Sequence, residues 1–209
     1  VVAIILAIVG YYGIQRFKTP APTKTATASS APIDVQGGDI QAYYNQGITW
    51  GKCAQGTFDS YRGVNSSDPN EYQCAFLKAP LDWDNPDGDQ ITLALAIHRS
   101  GAKDAPALFI NPGGPGGPVV SALPYYSAQG LGESVVKAYD IVALDPRGVG
   151  DSTPVFCMTD EEKDEYNAGA ETDGVDDSPQ SAIAEAEEGS RDLADGCRDH
   201  SGSIFEHID

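Results

Sequence analysis

Three short apolar runs, separated by turns rich in glycine and proline, predict a sheet in the middle of the chain. The run ITLALAIH (91–98) is predicted as a strand by its length and its β-branched and apolar content. ALFI (107–110) is apolar throughout, which is typical of a strand buried on both faces, and YDIVAL (139–144) is predicted as another buried strand. Residues 119–138 can form a helix between them. This order describes a βαβ unit, which implies a parallel sheet.

Weaker patterns predict further elements on both sides of this unit. CAFLKA (74–79) and the strand at 91–98 flank the turn residues PDG (86–88), so they can form an antiparallel hairpin. Residues 39–45 are predicted to open a short helix, and the Ala- and Glu-rich residues 181–197 form a longer one. The intervening residues 160–179 have little apolar content and are predicted as a loop.

The start of the chain predicts a membrane segment and a linker. VVAIILAIVGYYGI (1–14) carries no charge, but it is shorter than the roughly 20 apolar residues that span a bilayer, so we expect the segment to continue upstream. The Thr-, Ala-, Pro- and Ser-rich stretch that follows is typical of an extended linker. We therefore predict a transmembrane or signal-anchor segment over 1–18, a linker over 19–38 and a domain over 39–209. A buried core helix is the alternative for the first segment. Arg16 and Lys18 follow the apolar run, and positive charge favours placing the C-terminal end of that run on the cytoplasmic side.

Charge is concentrated in one region. The 209 residues carry a formal net charge of −18, which argues against a nucleic-acid partner. Residues 158–209 hold 17 acidic and 3 basic side chains, so the rest of the chain is nearly balanced. A solvated face is the simplest interpretation of this acidic helical region.

The cysteines favour an exported domain. Neither Cys53 and Cys74 nor Cys157 and Cys197 have the spacing of a zinc site, and no metal or other cofactor is predicted. Four cysteines allow three pairings, of which we favour Cys53–Cys74 and Cys157–Cys197 because each staples a loop-rich stretch. Four free buried thiols are the alternative. We expect a domain that is secreted or anchored on the outside of the cell membrane.

The turn NPGGPGG (111–117) is the strongest candidate for chemistry. It lacks the G-K-[ST] of a phosphate loop and the spacing of a dinucleotide fingerprint, and its prolines remove N–H groups that a phosphate would use. An oxyanion hole needs only one or two rigid backbone N–H groups that a substrate can approach closely. Gly113 and Gly114, stiffened by Pro112 and Pro115, meet that need.

NPGGPGG (111–117), YDIVALDPRGVGDS (139–152) and Cys74 with PLDW (80–83) together resemble the secreted actinobacterial α/β-hydrolases of the tripeptidyl aminopeptidase and proline-iminopeptidase-like family. The resemblance covers roughly residues 50–157. It implies an α/β fold with a mixed, mostly parallel sheet and a serine exopeptidase that releases short peptides from free N-termini through an acyl-enzyme. It further implies that Gly114 is an oxyanion donor, that Gly113 permits the turn, and that DPRGVG (145–150) is structural, with Arg147 pairing with a carboxylate or capping carbonyls.

The catalytic triad of that family is not recognisable in the sequence. No G-x-S-x-G elbow is present, since the two sequences that begin correctly, at Ser134 and Ser152, end in Val136 and Pro154. We therefore expect an N-terminal portion of the hydrolase, truncated before the nucleophile elbow and inactive alone. An esterase or lactonase of the same fold, acting on another small acyl substrate, stays open, as does a non-catalytic cell-surface binding module.

Overall fold

The computed structural model describes residues 40–58, 71–114, 116–169 and 179–208. The predicted membrane segment (1–18) and linker (19–38) lie outside these residues. In the part of the chain that is described, no helix is both long and apolar enough to cross a membrane.

A five-stranded mixed sheet organises the fold, with strand order β1-β2-β3-β5-β4. Only β4 and β5 run parallel, while the other three neighbouring pairs are antiparallel. The described sheet is mixed, as expected, but the expectation that it is mostly parallel is wrong for these strands. Besides the predicted β2–β3 hairpin, β1–β2 and β3–β5 are antiparallel, which leaves the predicted βαβ unit, β4 and β5, as the one parallel pair. The strands are β1 (Gly51–Lys52), β2 (Tyr72–Pro80), β3 (Gln90–His98), β4 (Ala107–Ile110) and β5 (Asp140–Leu144).

The predicted hairpin is confirmed. Strands β2 and β3 pair in register from Tyr72 opposite His98 to Pro80 opposite Gln90. The Leu81 N–H closes the turn by donating to the Asp89 carbonyl at 2.7 Å. A short helix, α1 (Ile40–Tyr44), covers this end, as the sequence predicts.

The sequence predicts that β4 and β5 are both buried, but the two strands differ in exposure. The central residues of β5, 141–143, are at most 3% exposed, because β5 lies between β3 and β4. Strand β4 is at the edge of the sheet, and Phe109 is 64% exposed. The expectation that β4 is buried on both faces is therefore wrong.

The core lies mainly on one face of the sheet. The segment that follows the glycine-rich turn places Val119, Val120 and Leu123 against the strands, each at most 2% exposed. Alternate strand residues such as Ala96 and Ile141 meet them, as the period of two in a strand requires. The turn NPGGPGG therefore leads directly into the best-packed part of the molecule.

The expected helix over residues 119–138 is broken into three pieces. These are α2 (Leu123–Tyr125), a π-helical segment (Tyr126–Gly130) and α3 (Glu133–Ala138). Leu131 is extended, with φ −111° and ψ 149°. Gly130 leaves room for the Tyr126 ring, since a Cβ there would lie 2.7 Å from the ring.

Two helices fill the described part of the acidic region. The prediction of a loop is wrong for α4 (Asp160–Gly169), and residues 170–178 lie outside the described chain. A capping box starts α4, because Thr159 and Glu162 exchange backbone N–H to side-chain hydrogen bonds at 2.7 and 3.2 Å. The predicted helix at 181–197 is confirmed within α5 (Pro179–Ser201), which leads into a 3₁₀ helix (Gly202–His207).

Both favoured disulfides are present, and no described cysteine is free. Cys53–Cys74 ties the end of β1 to β2, and Cys157–Cys197 ties the segment after DPRGVGDS to α5. Because Gly196 has no side chain, the Cys157 carbonyl can lie directly against the helix.

We expect that replacing Cys157 and Cys197 together by alanine lowers the free energy of unfolding by about 3 to 4 kcal/mol. The bond closes a loop with a sequence separation of 40 residues, and the chain-entropy model gives that magnitude. Urea denaturation of the oxidised protein and of the variant measures the difference. A loss below about 1 kcal/mol would show that α5 is held in place without the disulfide.

Candidate active site

The glycine-rich turn begins where β4 ends, beside the end of β5. Gly113 and Gly116 have φ values of +83° and +76°, a region that glycine adopts without strain. The Gly113 N–H donates to the Asn111 side-chain oxygen at 3.0 Å. Because this N–H is already hydrogen-bonded, Gly113 shapes the turn and is not an open donor.

Gly114 differs from Gly113 in having an open N–H. It is exposed, and among the described residues its N–H has no hydrogen-bond partner. A Cβ at this position would lie 2.8 Å from the Gly116 nitrogen and 3.1 Å from the Gly117 nitrogen, so only glycine fits this turn unchanged. An incoming oxygen could accept this N–H, but the role of Gly114 as an oxyanion donor stays a prediction.

Asp145, the first residue after β5, anchors the segment that follows the turn. Its carboxylate is buried, with the residue 1% exposed. Oδ1 accepts the N–H groups of Val119 and Val120 at 2.7 and 2.8 Å, and Oδ2 accepts that of Asp151 at 2.9 Å. One side chain therefore joins the NPGGPGG and DPRGVGDS turns.

Gly150 makes this arrangement possible. It has a φ of +59°, and a Cβ there would collide with the Asp145 carboxylate and lie 3.1 Å from Pro118. The second turn therefore needs glycine at this position for close approach as well as for its backbone conformation.

Ser152 and Thr153 continue the hydrogen bonding of β3 beyond the end of β5. The Ser152 hydroxyl accepts the Ala94 N–H at 2.9 Å and donates to the Asp145 carbonyl at 2.6 Å. The Thr153 N–H donates to the Thr92 carbonyl at 2.8 Å. Ser152 is 2% exposed, so it is inaccessible as a nucleophile and has a structural role.

Arg147 caps carbonyl groups, one of the two roles expected for it. Its Nη1 donates to the Leu81 carbonyl at 2.8 Å and to the His207 carbonyl at 2.7 Å. These bonds connect the DPRGVG turn to the β2–β3 hairpin and to the 3₁₀ helix.

The histidines lie away from the turn or have other contacts. His98 pairs with Ile141, near the start of β5 and hence at the opposite end of the sheet. The His200 Nε2 lies 3.3 Å from the Glu162 carboxylate on α4. Hydrogen bonds from Thr159 lower the pKa of Glu162, and the nearby His200 adds to this effect. None of these described contacts forms a Ser-His pair.

Asp140 also lies at that opposite end. Burial raises the pKa of its carboxyl group, but hydrogen bonds from Arg99 and Ser100 outweigh that effect and lower the pKa below its usual value. The ion pair of Asp140 with Arg99 therefore does not contribute to the site beside the glycine-rich turn.

A groove of about 770 Å³ opens beside the glycine-rich turn. Its lining comes from the two turns, the segment 155–157, α5 and Ile208, which follows the 3₁₀ helix. Most of its described lining is apolar or glycine. The lining residues are Asn111, Gly113, Gly116, Gly117, Pro146, Arg147, Gly148, Val149, Val155, Cys157, Leu193 and Ile208.

The sequence predicts the two turns but not the residue that joins them. It places Asp145 in a structural turn and gives no indication of its contact with Val119 and Val120. One signal was available, because a carboxylate directly after a buried strand needs hydrogen-bond donors from another segment. The sequence does not say which segment supplies them.

The mixed sheet, its helices and the two turns at the carboxyl ends of β4 and β5 are compatible with an α/β fold. No protein-family model matches the chain. Similarity to known proteins indicates which kind of α/β protein this chain resembles. The chain is 32% identical over 158 residues to "Carboxylesterase B" of Mycobacterium tuberculosis, which covers 75% of this chain and 28% of that protein.

Two further relatives carry peptidase names. The chain is 33% identical over 169 residues to "Tripeptidyl aminopeptidase" of Streptomyces coelicolor, covering 78% of this chain and 28% of the relative. It is 33% identical over 139 residues to "Serine protease Hip1" of Mycobacterium tuberculosis, covering 66% and 26%. The chain thus spans just over a quarter of the length of these curated relatives. Together they support a serine hydrolase family for this chain.

We expect Asp145→Asn to lower the free energy of unfolding by about 2 to 3 kcal/mol. The amide cannot accept the Asp151 N–H and the N–H groups of Val119 and Val120 together, and it removes a charge-assisted bond. Asp82→Asn is the matched control, because among the described residues the Asp82 carboxylate accepts a single hydrogen bond, from the exposed Asp84 N–H. Urea denaturation measures both. Equal effects of the two substitutions would contradict the anchoring role of Asp145.

Proposed function

We propose that this chain supplies the oxyanion loop of a serine exopeptidase that releases short peptides or residues from free N-termini. The observation that carries the proposal is the open Gly114 N–H, held in a turn whose following segment is fixed by Asp145. During acyl transfer, this N–H donates to the oxygen that becomes negative when a nucleophile attacks the scissile carbonyl.

The nucleophile, acid and base of this proposal belong to residues outside the chain. Three observations support this placement: the sequence has no G-x-S-x-G elbow, Ser152 is buried, and His98 is at the opposite end of the sheet. The length of the relatives agrees with it. The isolated chain is accordingly inactive in this proposal.

An esterase is the second candidate, and a specific observation favours it. A relative named as a carboxylesterase is as similar to this chain as the peptidases are. An oxyanion hole serves any acyl transfer, so the glycine-rich turn supports both reactions equally.

Export across the membrane is part of the proposal. The two disulfides fit an oxidising compartment. In this proposal residues 1–18, which contain the apolar run 1–14, anchor or export the domain, and the linker 19–38 separates it from the membrane.

Gly114→Ala tests the oxyanion role in a polypeptide that carries this chain together with the proposed triad. The new methyl group would lie 2.8 Å from the Gly116 nitrogen and shift the donor, so we expect kcat to fall by a factor of about 10² to 10³. Gly189→Ala is the control, because a Cβ at Gly189 meets no atom within 4 Å. Unchanged turnover by correctly folded Gly114→Ala would contradict the proposal.

The substrate class is tested with the same polypeptide. Tripeptidyl chromogenic amides with a free or an acetylated N-terminus are compared with matched p-nitrophenyl esters. An exopeptidase hydrolyses the free-amine amides and loses most activity on acetylation, whereas an esterase hydrolyses the esters irrespective of the N-terminus. The isolated chain serves as the control expected to turn over neither.

A further inference from the structure

We infer that the groove beside the glycine-rich turn binds an uncharged, apolar side chain of the substrate, and that Leu193 on α5 is a specificity-determining residue for it. The inference rests on the proposed function for its ligand, an acyl or peptidyl group whose carbonyl reaches Gly114. It extends that function by naming the side chain that the adjoining space accepts.

The groove is continuous with the turn that presents Gly114. Gly113 and Gly116, on either side of this residue, are both part of its lining. At about 770 Å³, the groove lies within the usual range for sites that bind small molecules. Gly114 itself is not among the described lining residues, so a group bound through its N–H lies one residue from the lining at Gly113 and two from it at Gly116.

The larger uncharged side chains of the lining are apolar. Val149 and Val155 line the groove together with two large residues, Leu193 and Ile208, each of which is 44% exposed. Arg147 is the one charged residue in the described lining, and its Nη1 already serves two carbonyl groups. Burying a cationic side chain beside this guanidinium costs desolvation and repulsion, whereas an apolar side chain covers exposed hydrophobic surface.

The part of α5 that carries Leu193 is joined to the segment after DPRGVGDS by a disulfide and by hydrogen bonds. Cys197 lies one helical turn after Leu193 on the same face of α5, and its disulfide joins it to Cys157, another lining residue. One turn further, the Ser201 hydroxyl accepts the Phe156 N–H and donates to its carbonyl, both at 2.6 Å. The groove is therefore formed before any ligand binds, which lowers the entropic cost of binding.

The test measures binding of small amides to the full 209-residue chain by methyl NMR. The probes are the Nα-acetyl amides of alanine, norleucine and lysine. The lysine side chain is that of norleucine with an ammonium group added to its terminal carbon. We expect norleucine to bind at least about tenfold more tightly than alanine, since each buried methylene contributes about fourfold. Lysine is expected to bind at least about tenfold more weakly than norleucine. The methyl signals expected to shift are those of Val149, Val155, Leu193 and Ile208.

Leu193→Asp is expected to abolish most of the preference for norleucine over lysine, because it places a carboxylate in the apolar wall. Ile183→Asp is the matched control, since Ile183 is on the same helix, 60% exposed and not part of the described lining. Leu193→Met is expected to retain the preference. If circular dichroism shows Leu193→Asp to be unfolded, Leu193→Ala replaces it and is expected to weaken norleucine binding about tenfold.

The inference is overturned if norleucine and lysine probes bind equally, if no probe binds saturably, or if Ile183→Asp changes the preference as much as Leu193→Asp. These measurements need no turnover, so they are separate from the test of the proposed function. If the probes bind selectively but longer polypeptides are inactive, the inferred side-chain site is supported and the proposed hydrolase function is contradicted. If longer polypeptides turn over substrate without a side-chain preference, the hydrolase function is supported and the side-chain site is contradicted.

Discussion

The buried carboxylate of Asp145 is the interaction on which the candidate site depends. It stands at the end of β5 and accepts three backbone N–H groups from two segments that are distant in sequence. A buried carboxylate is costly unless such donors surround it, so the two turns can take only arrangements that bring their N–H groups to it. Gly150 leaves the space that the carboxylate needs.

Next to these anchored residues, one N–H of the turn stays open. The residues after the turn are fixed by Asp145 and packed in the core, and Gly113 is occupied by Asn111. Gly114 lies between these fixed parts, exposed and with no partner in the described chain. In the proposed oxyanion role, a donor next to anchored residues would lose little entropy on binding an oxygen, as transition-state stabilisation requires.

The parts of this structure that follow local patterns could be predicted, and those that depend on distant neighbours could not. The β2–β3 hairpin and the apolar run of β5 are local, and both disulfides are the sequence-local pairs that were favoured among the three possible pairings. Burial of β4 depends on whether other strands flank it on both sides, and its four apolar residues do not show that it is an edge strand. Helix α4 was predicted as a loop because its composition is polar, although the pair Thr159 and Glu162 marked its start. The Asp145 contacts join residues 25 and 26 positions apart, and no local pattern reveals them.

Native-state hydrogen exchange of individual amides tests the account most directly. If the Asp145 carboxylate holds the segment after the turn, the Val119 and Val120 amides exchange at least about tenfold more slowly than the Gly114 amide, since a hydrogen bond to a charged group contributes about 1.5 to 3 kcal/mol. Asp145→Asn should remove much of that protection while β3 amides such as Leu95 keep theirs. Exchange of Val119 and Val120 as fast as that of Gly114 in the unmodified protein would contradict the account.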